Sequence, residues 1–570
     1  MKDSPLFKLN SILEKKYKYY LLLFILTLFV GLIFQLVGIG SIIPLTTSFF
    51  GQSNETEIIN LLINYFPFLS KFNSFFIILS FFVGCIILSN LIFIFATFLS
   101  AKITFAIERE LRNTLYDHFI NNDYKFFFNT TSSKFISLMI NETQRLCQSV
   151  MLPLAEVLSR LMLVVGISLF LIFLISDDAI YIVTIIVIFY LIYYFLIRKR
   201  IIINNKLLTQ SNEQLVKNSN DLFRSFREIK IYNLERFFLN KIIKITEKIQ
   251  KIRFFTVFFS TSPRYYMEIL MFLIIYIFFI YRGQNIDLGK MSILAVFIYS
   301  FFKILPSLQG LFAQFMVAKS NIDSLDVIYN KLRELKEDQK NLLSNYNNQV
   351  SKENKFESIE VKNLSFNFED RNILENINLK IKKGDKIGIK GKSGSGKTTL
   401  INLLIGLLEP KKGELFFNNV EINSKDLIKK YNNKIGIVPQ NPTMLETTVK
   451  ENILLGKSED INKLKDSIEI ASLNEFIGPN FENLEKNIHS SSLNLSGGQI
   501  QRISIARAIY RNPNILIIDE GFNQLDQDNE KKVLKNILKI DNLTIIMIYH
   551  KMFDESLLDK IYNISDKKIV

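Results

Sequence analysis

Cysteine is almost absent. Two in 570 residues, Cys85 and Cys147, cannot build a disulfide framework, and both read as packing residues. Only three histidines are present, so a lone His at a strand end has a plain surface reading unless its neighbours argue otherwise. No repeat of solenoid type recurs along the chain. No cleavage site follows the first apolar run, which is expected to stay as a membrane span, and no accessory domain is expected before the polar, basic stretch Met1 to Tyr20. Acidic residues are outnumbered 54 to 69, giving a net charge of +15. A nucleic-acid partner is set aside nonetheless, because the basic residues flank apolar runs instead of forming one patch interleaved with aromatics.

Apolar runs dominate the first 320 residues. With 49% hydrophobic content and 51 Phe, the chain fits a membrane protein better than a wholly soluble one. A crossing needs about 20 apolar residues, and six stretches qualify: Tyr20 to Ile43, Phe75 to Phe98, Val157 to Ile175, Ile180 to Ile197, Met267 to Tyr281 and Met291 to Phe312. The loop from Gly51 to Asn73 and the short one around Ser176 carry few basic residues, while the second-to-third connection and the one from Arg198 to Arg253 are rich in Lys and Arg. The positive-inside rule therefore puts the N-terminus, both long connections and the C-terminal domain in the cytosol. Apolar spacing of three and four residues over Glu108 to His118 and Leu207 to Leu239 predicts helices that continue out of the bilayer. The expected domains are a membrane domain at 1–330, a polar linker at 331–355 and a mixed strand-and-helix domain at 356–570.

That last domain carries phosphate chemistry. Gly391-Lys392-Ser393-Gly394-Ser395-Gly396-Lys397-Thr398-Thr399 fits the P-loop pattern, in which glycines let backbone N–H groups turn toward phosphate oxygens at a helix N-terminus. Lys397 would meet the β- and γ-phosphates and Thr398 would hold Mg²⁺. Alone, such a loop also serves GTPases, kinases and helicases. The apolar run Ile515-Leu516-Ile517-Ile518 reads as a buried strand that delivers Asp519 to the metal and Glu520 beside it, suited to polarising an attacking water.

Leu495-Ser496-Gly497-Gly498-Gln499 resembles the signature of the ATP-binding-cassette (ABC) superfamily, at that family's spacing before the acidic strand. The resemblance covers the whole chain. It implies a helical exporter-type membrane domain of six spans fused to an α/β P-loop cassette, with ATP and Mg²⁺ as cofactors. It also implies that Phe368 stacks on adenine in place of a tyrosine, that Gln440 links the metal to the membrane helices, and that His550 touches the γ-phosphate. Ser496, Gly497, Gly498 and Gln499 would open a helix whose N–H groups reach a nucleotide on a second cassette, with Asp526 nearby. A complete site then needs two chains, as a homodimer or a heterodimer. Short transverse helices are expected near Thr130 to Phe135 and Phe226 to Glu235. Three stretches depart from the family: His489 to Ser492 before the signature, Gly521 to Asp526 after Glu520, where Asp526 itself is kept, and Tyr549 and Lys551 around the histidine.

Gly38 to Pro44, Ser262 to Glu268 and Phe301 to Ser307 resemble PglK-type flippases of lipid-linked oligosaccharides, which implies an amphiphilic cargo and an inner-membrane location. Arg160, Arg264, Glu268 and Lys303 lie in or beside apolar runs, where a charge is costly. Arg264 and Lys303 are candidates to attract a diphosphate head group; Arg264 and Glu268 also have the spacing of an intrahelical ion pair. Exporters of lipid A, other lipids, drugs or peptides share the architecture, and a non-transport sensor is a further class.

Overall fold

The computed structural model describes every residue except 1–3, 50–63, 65–72, 123, 125–134, 176, 283–287, 345–355, 369–370, 422–433, 489–494, 550–554 and 570. The chain divides into two compact units, residues 1–121 with 131–347, and residues 348–570 with 122–130.

The first unit is helical. Ser4 caps α1 (Pro5–Ile12) by accepting from the Phe7 N–H, and Pro5 supplies the fixed φ suited to a first turn. Then come α2 (Lys15–Gly40), α3 (Ile42–Phe49) and α4 (Ser74–Ile120), followed, after two π-helical turns (Ser137–Glu142 and Cys147–Met151), by α5 (Leu152–Ile175). The series ends with α6 (Asp177–Arg224), α7 (Phe226–Ile231), α8 (Glu235–Arg282), α9 (Leu288–Ser320) and α10 (Asp323–Ser344).

Helices α4, α6 and α8 run 47 or 48 residues. At 1.5 Å per residue each spans roughly 70 Å, over twice the hydrocarbon thickness, so each continues beyond it. Among the described residues Lys15–Phe49, Ser74–Ile120, Ser137–Leu174 and Met291–Ser320 are long and apolar enough to cross a membrane. These contain the first, second, third and sixth expected spans. The fourth and fifth fall within α6 and α8, some of whose side chains lie outside the described set.

Helix α7 forms where a second transverse helix is expected, and Asn233 at φ 53° turns the chain into α8. Of the first transverse segment, 130–134 lies outside the described residues. The polar stretch from 331 does not open as a linker: α10 carries it to Ser344, with Leu335 buried, because apolar residues recur on one face of that helix.

Helices α2 and α4 approach closely at Gly31, which faces Ile92 and Phe93, and at Gly38, which faces Ile86 and Cys85. Ser89 Oγ lies 2.9 Å from the Gly31 carbonyl and 3.0 Å from Gln35 Oε1, so the same contact is polar at its centre. Cys85 and Cys147 are both buried thiols.

The second unit has two sheets. An antiparallel sheet has the order β2-β1-β4-β5, from β1 (Ser358–Phe368), β2 (Arg371–Lys382), β4 (Lys412–Phe417) and β5 (Val420–Glu421). The larger sheet has the order β10-β9-β3-β8-β7-β6. Its strands are β3 (Lys386–Gly391), β6 (Ile435–Val438), β7 (Ile515–Asp519), β8 (Thr544–Ile548), β9 (Lys560–Ser565) and β10 (Lys568–Ile569). All pairs except β9 with β10 are parallel. Strands β7 and β8 are buried along their full length, as parallel strands covered on both faces are. Ile545 and Met547 join one apolar cluster and Ile546 and Ile548 the other, so β8 separates the two cores.

Ile546→Ala is therefore expected to cost about 2 to 5 kcal/mol. The cassette's thermal transition should fall by roughly 5 to 15 °C in a melting experiment on the purified protein.

Candidate functional site

The C-terminal ends of β3, β8, β7 and β6 share one edge of the sheet, where open parallel sheets bind ligands. Each end delivers one expected element. Strand β3 runs into the loop 391–396, β7 ends on Asp519 with Glu520 next, and Gln440 follows β6 by two residues. Strand β8 stops two residues before His550, which lies outside the described residues.

The loop after β3 is shaped for an anion. Gly394 and Gly396 take φ of 78° and 99°, which only glycine adopts without strain, and an added Cβ at Gly394 meets open space. Helix α11 (Lys397–Leu404) begins after Gly396, which brings no side chain to cap it, so its first N–H groups lack a side-chain acceptor. Ser395 Oγ is buried without a hydrogen-bond partner. Lys397 Nζ donates to the Gly391 carbonyl at 2.9 Å and to the Lys392 carbonyl at 3.0 Å, folding its ammonium over the loop. These residues fit the phosphates of a nucleotide. Ser393 and Thr398 are exposed on the same loop and first turn, and Thr399 is half-buried behind them.

Burial pulls the Lys397 pKa below the usual lysine value, and the Glu520 and Asp519 carboxylates partly oppose the shift. Asp519 is 7% exposed at the end of β7. Glu520 stands at φ 51°, a left-handed backbone that turns its side chain out of the strand direction. Its Oε2 accepts from Gln440 Nε2 at 2.7 Å and from Asn523 Nδ2 at 2.9 Å. The first partner is an expected site residue. Asn523 is not, although an amide three residues past the carboxylate, where exporters of the resembled family commonly have serine, is a readable signal.

Phe368 is half-buried, its ring 5.0 Å from Phe366 at 90°, so one side of it is packed against the core. The signature opens α12 (Gly497–Tyr510) as expected. Ser496 and Gln499 are engaged with each other in a capping box: the Gln499 N–H donates to Ser496 Oγ, and the Ser496 N–H donates to Gln499 Oε1. Gln524 packs on Gly497, where an added Cβ would strike its Oε1. Asp526 caps α13 (Gln527–Leu538), with one oxygen on the Asn529 N–H and the other on Asn529 Nδ2, and these bonds lower its pKa. Tyr549 has room for its bulk because it lies over Gly388, and it donates to Glu555, which also pairs with Lys390 at 3.1 Å. Burial and the Glu555 bond push the Tyr549 phenol up to about 12.

In the membrane unit Lys303 is half-buried on α9, one turn before Pro306. Arg160 reaches the same turn from α5, donating to the Pro306 carbonyl at 3.3 Å and pairing with Glu156 at 3.4 Å. The Arg264 side chain, on α8, lies outside the described residues.

Residues 18–307 match the model of the ABC transporter transmembrane region, and residues 374–523 match the ABC transporter model. The chain belongs to the ABC transporter family. A solved bacterial Atm1-family ABC exporter with ATP bound superposes at TM-score 0.72 over 97% of this chain and 94% of that one, at 16% identity, so the likeness is one of fold. The fold is thus an exporter-type helical membrane domain fused to an α/β cassette. A candidate export ATP-binding/permease protein of Rickettsia conorii is 26% identical over 78% of this chain and 77% of its own. The pediocin PA-1 transport/processing ATP-binding protein PedD of Pediococcus acidilactici is 38% identical over 37% of this chain. The match spans 30% of that relative's length.

In this ABC transporter, Lys397→Ala is expected to weaken ATP binding roughly 10- to 150-fold, the worth of one hydrogen bond to a charged group. A fluorescent-nucleotide titration measures it. Because the Lys397 pKa is lowered, its charge is lost at a pH below that of an ordinary lysine. ATP affinity should therefore fall as pH rises through that lowered value. The nucleotide-free cassette should gain stability over the same window, since the unfolded chain there holds the extra proton.

Proposed function

We propose that this ABC transporter is an ATP-driven exporter that works as a homodimer. The observation that carries this reading is the convergence of Lys397, Asp519, Glu520 and Gln440 on one strand edge of a cassette fused to membrane-spanning helices. Thr398 and Asp519, with Gln440 alongside, would hold Mg²⁺, which when bound neutralises charge on the phosphates. Phe368 supplies an aromatic face for adenine, His550 serves the γ-phosphate, and Glu520 orients the attacking water. Ser496, Gly497, Gly498 and Gln499 serve the nucleotide of the second copy, with Asp526 fixing the loop between the two. One chain carries both halves of a site, which favours two working sites over a heterodimer with one.

For cargo we propose a lipid-linked oligosaccharide or polysaccharide precursor, flipped across a bacterial inner membrane with the cassettes in the cytoplasm. A cation at bilayer depth costs on the order of 2.5 to 3.5 kcal/mol. Lys303 is retained there, beside a proline turn that Arg160 also reaches. Attraction of a diphosphate head group by Lys303 and Arg264, with the polyprenyl tail left in lipid, gives those charges a use. Peptide export is the second reading, favoured by the pediocin transport/processing relative.

The test is ATPase activity of the protein in liposomes, with and without a polyprenyl-diphosphate oligosaccharide. Stimulation should require the diphosphate and disappear in Lys303→Gln and Arg264→Gln; stimulation by peptides, drugs or lipid A instead removes the oligosaccharide. Glu520→Gln should bind ATP and lose turnover by roughly 10²- to 10⁴-fold. Sustained hydrolysis by that variant would take Glu520 out of its role.

A further inference from the structure

The loop after Glu520 carries two amides, Asn523 and Gln524, and is held from several directions. Phe522 and Leu525 are buried in the cassette core. Gly521 is wedged so that an added Cβ would lie 2.8 Å from both Ile518 and Val438. The Asn523 N–H closes a turn onto the Glu520 carbonyl at 3.2 Å, and the Gln524 N–H donates to the fully buried Gln501 Oε1 at 3.0 Å. Asp526 ends the loop as the cap of α13. Such a loop fixes the backbone from which the exposed Asn523 side chain starts.

Resting on the assignment of Glu520 as the group that orients water, we infer that Asn523 is a positioning residue for ATP hydrolysis. Its Nδ2 meets Glu520 Oε2 at 2.9 Å, and Gln440 Nε2, from the loop after the neighbouring strand β6, meets the same oxygen at 2.7 Å. Two donors from separate elements converging on one oxygen restrict where that oxygen can sit more than either donor does alone. The Glu520 backbone is already in the left-handed region, so its side chain starts from a constrained direction, and the amides set the rest. Gln440 belongs to a loop that is expected to respond to metal and to the membrane helices, whereas Asn523, itself exposed, sits on a loop anchored on either side by the buried Phe522 and Leu525. Asn523 therefore keeps Glu520 in register when Gln440 lets go.

The experiment compares steady-state ATPase of the full-length protein with the Asn523→Ala, Asn523→Ser, Gln440→Ala and double Gln440→Ala/Asn523→Ala variants, with Glu520→Gln as reference. Asn523→Ala should lower kcat roughly 10- to 100-fold, the scale for misplacing a reacting group by about 1 Å. KM for ATP should stay within about twofold, since the Asn523 side chain bonds to Glu520 and, among the described residues, to no residue of the phosphate loop. Asn523→Ser, which keeps a donor, should recover part of the loss. The double variant should lose less than the product of the single losses, because both amides act on one oxygen. An unchanged kcat, a parallel rise in KM and fall in melting temperature, or a simple product of the losses would each overturn the inference. If Glu520→Gln is inactive while Asn523→Ala is not, only this inference falls; if Glu520→Gln still turns ATP over, the assignment of Glu520 falls and takes this with it.

Discussion

Parallel pairing of β3, β8, β7 and β6 is the constraint on which the cassette depends. Asp519 is paired with Ile548, Ile389 with the same Ile548, and Val438 with Ile518, so four chain segments far apart in sequence stop at one level. A one-residue slip in any ladder would turn its terminal side chain to the other face and take it out of reach of its neighbours. Burial on both faces resists that slip. Strands β7 and β8 are buried along their whole length, and β8 in particular is shared between two cores. Order at the phosphate loop is thus a consequence of packing well behind it.

Around that edge the loops are tied to one another more than to the sheet. Arg507 on the signature helix donates to the Asn452 and Thr443 carbonyls at 2.8 and 3.1 Å. Asn452, itself fully buried, holds the Leu445 N–H. The stretch following Gln440 is therefore fastened to the helix that begins at the signature, and the loop after Glu520 is fastened to the same helix through Gln501. Two departures from the family pattern that lie among the described residues are accommodated by a neighbour: Tyr549 by Gly388, Gln524 by Gly497. In each case a glycine provides the volume that the larger side chain takes.

The membrane unit solves a different problem, because hydrocarbon offers no partner to a polar group. Ser89 meets Gln35 and a backbone carbonyl at the close α2–α4 contact. Pro306 interrupts the hydrogen-bond ladder of α9, and Arg160 supplies a donor to its carbonyl across the interface with α5. Polar side chains at such contacts hold helices together where lipid gives no hydrophobic drive.

Much of this was legible in the sequence because it depends on short-range pattern. Apolar length announced the spans, and the P-loop and signature spacings announced a phosphate edge with Lys397, Asp519 and Glu520 on it. The capping box from Ser496 to Gln499 is likewise a local code. Composition alone hid that the polar stretch after Lys331 stays helical, although Leu325, Ile328, Leu332 and Leu335 recur at helical spacing into it and Leu335 is buried. Local pattern could not show that Asn523 and Gln440 meet on one carboxylate oxygen: they are 83 residues apart, and only the β6–β7 ladder brings their loops together. The sequence by itself determined which elements form and which residues carry phosphate chemistry, because both follow from side-chain period and backbone freedom. The tertiary structure alone decided which side chains converge, because convergence is set by strand register and core packing between distant segments.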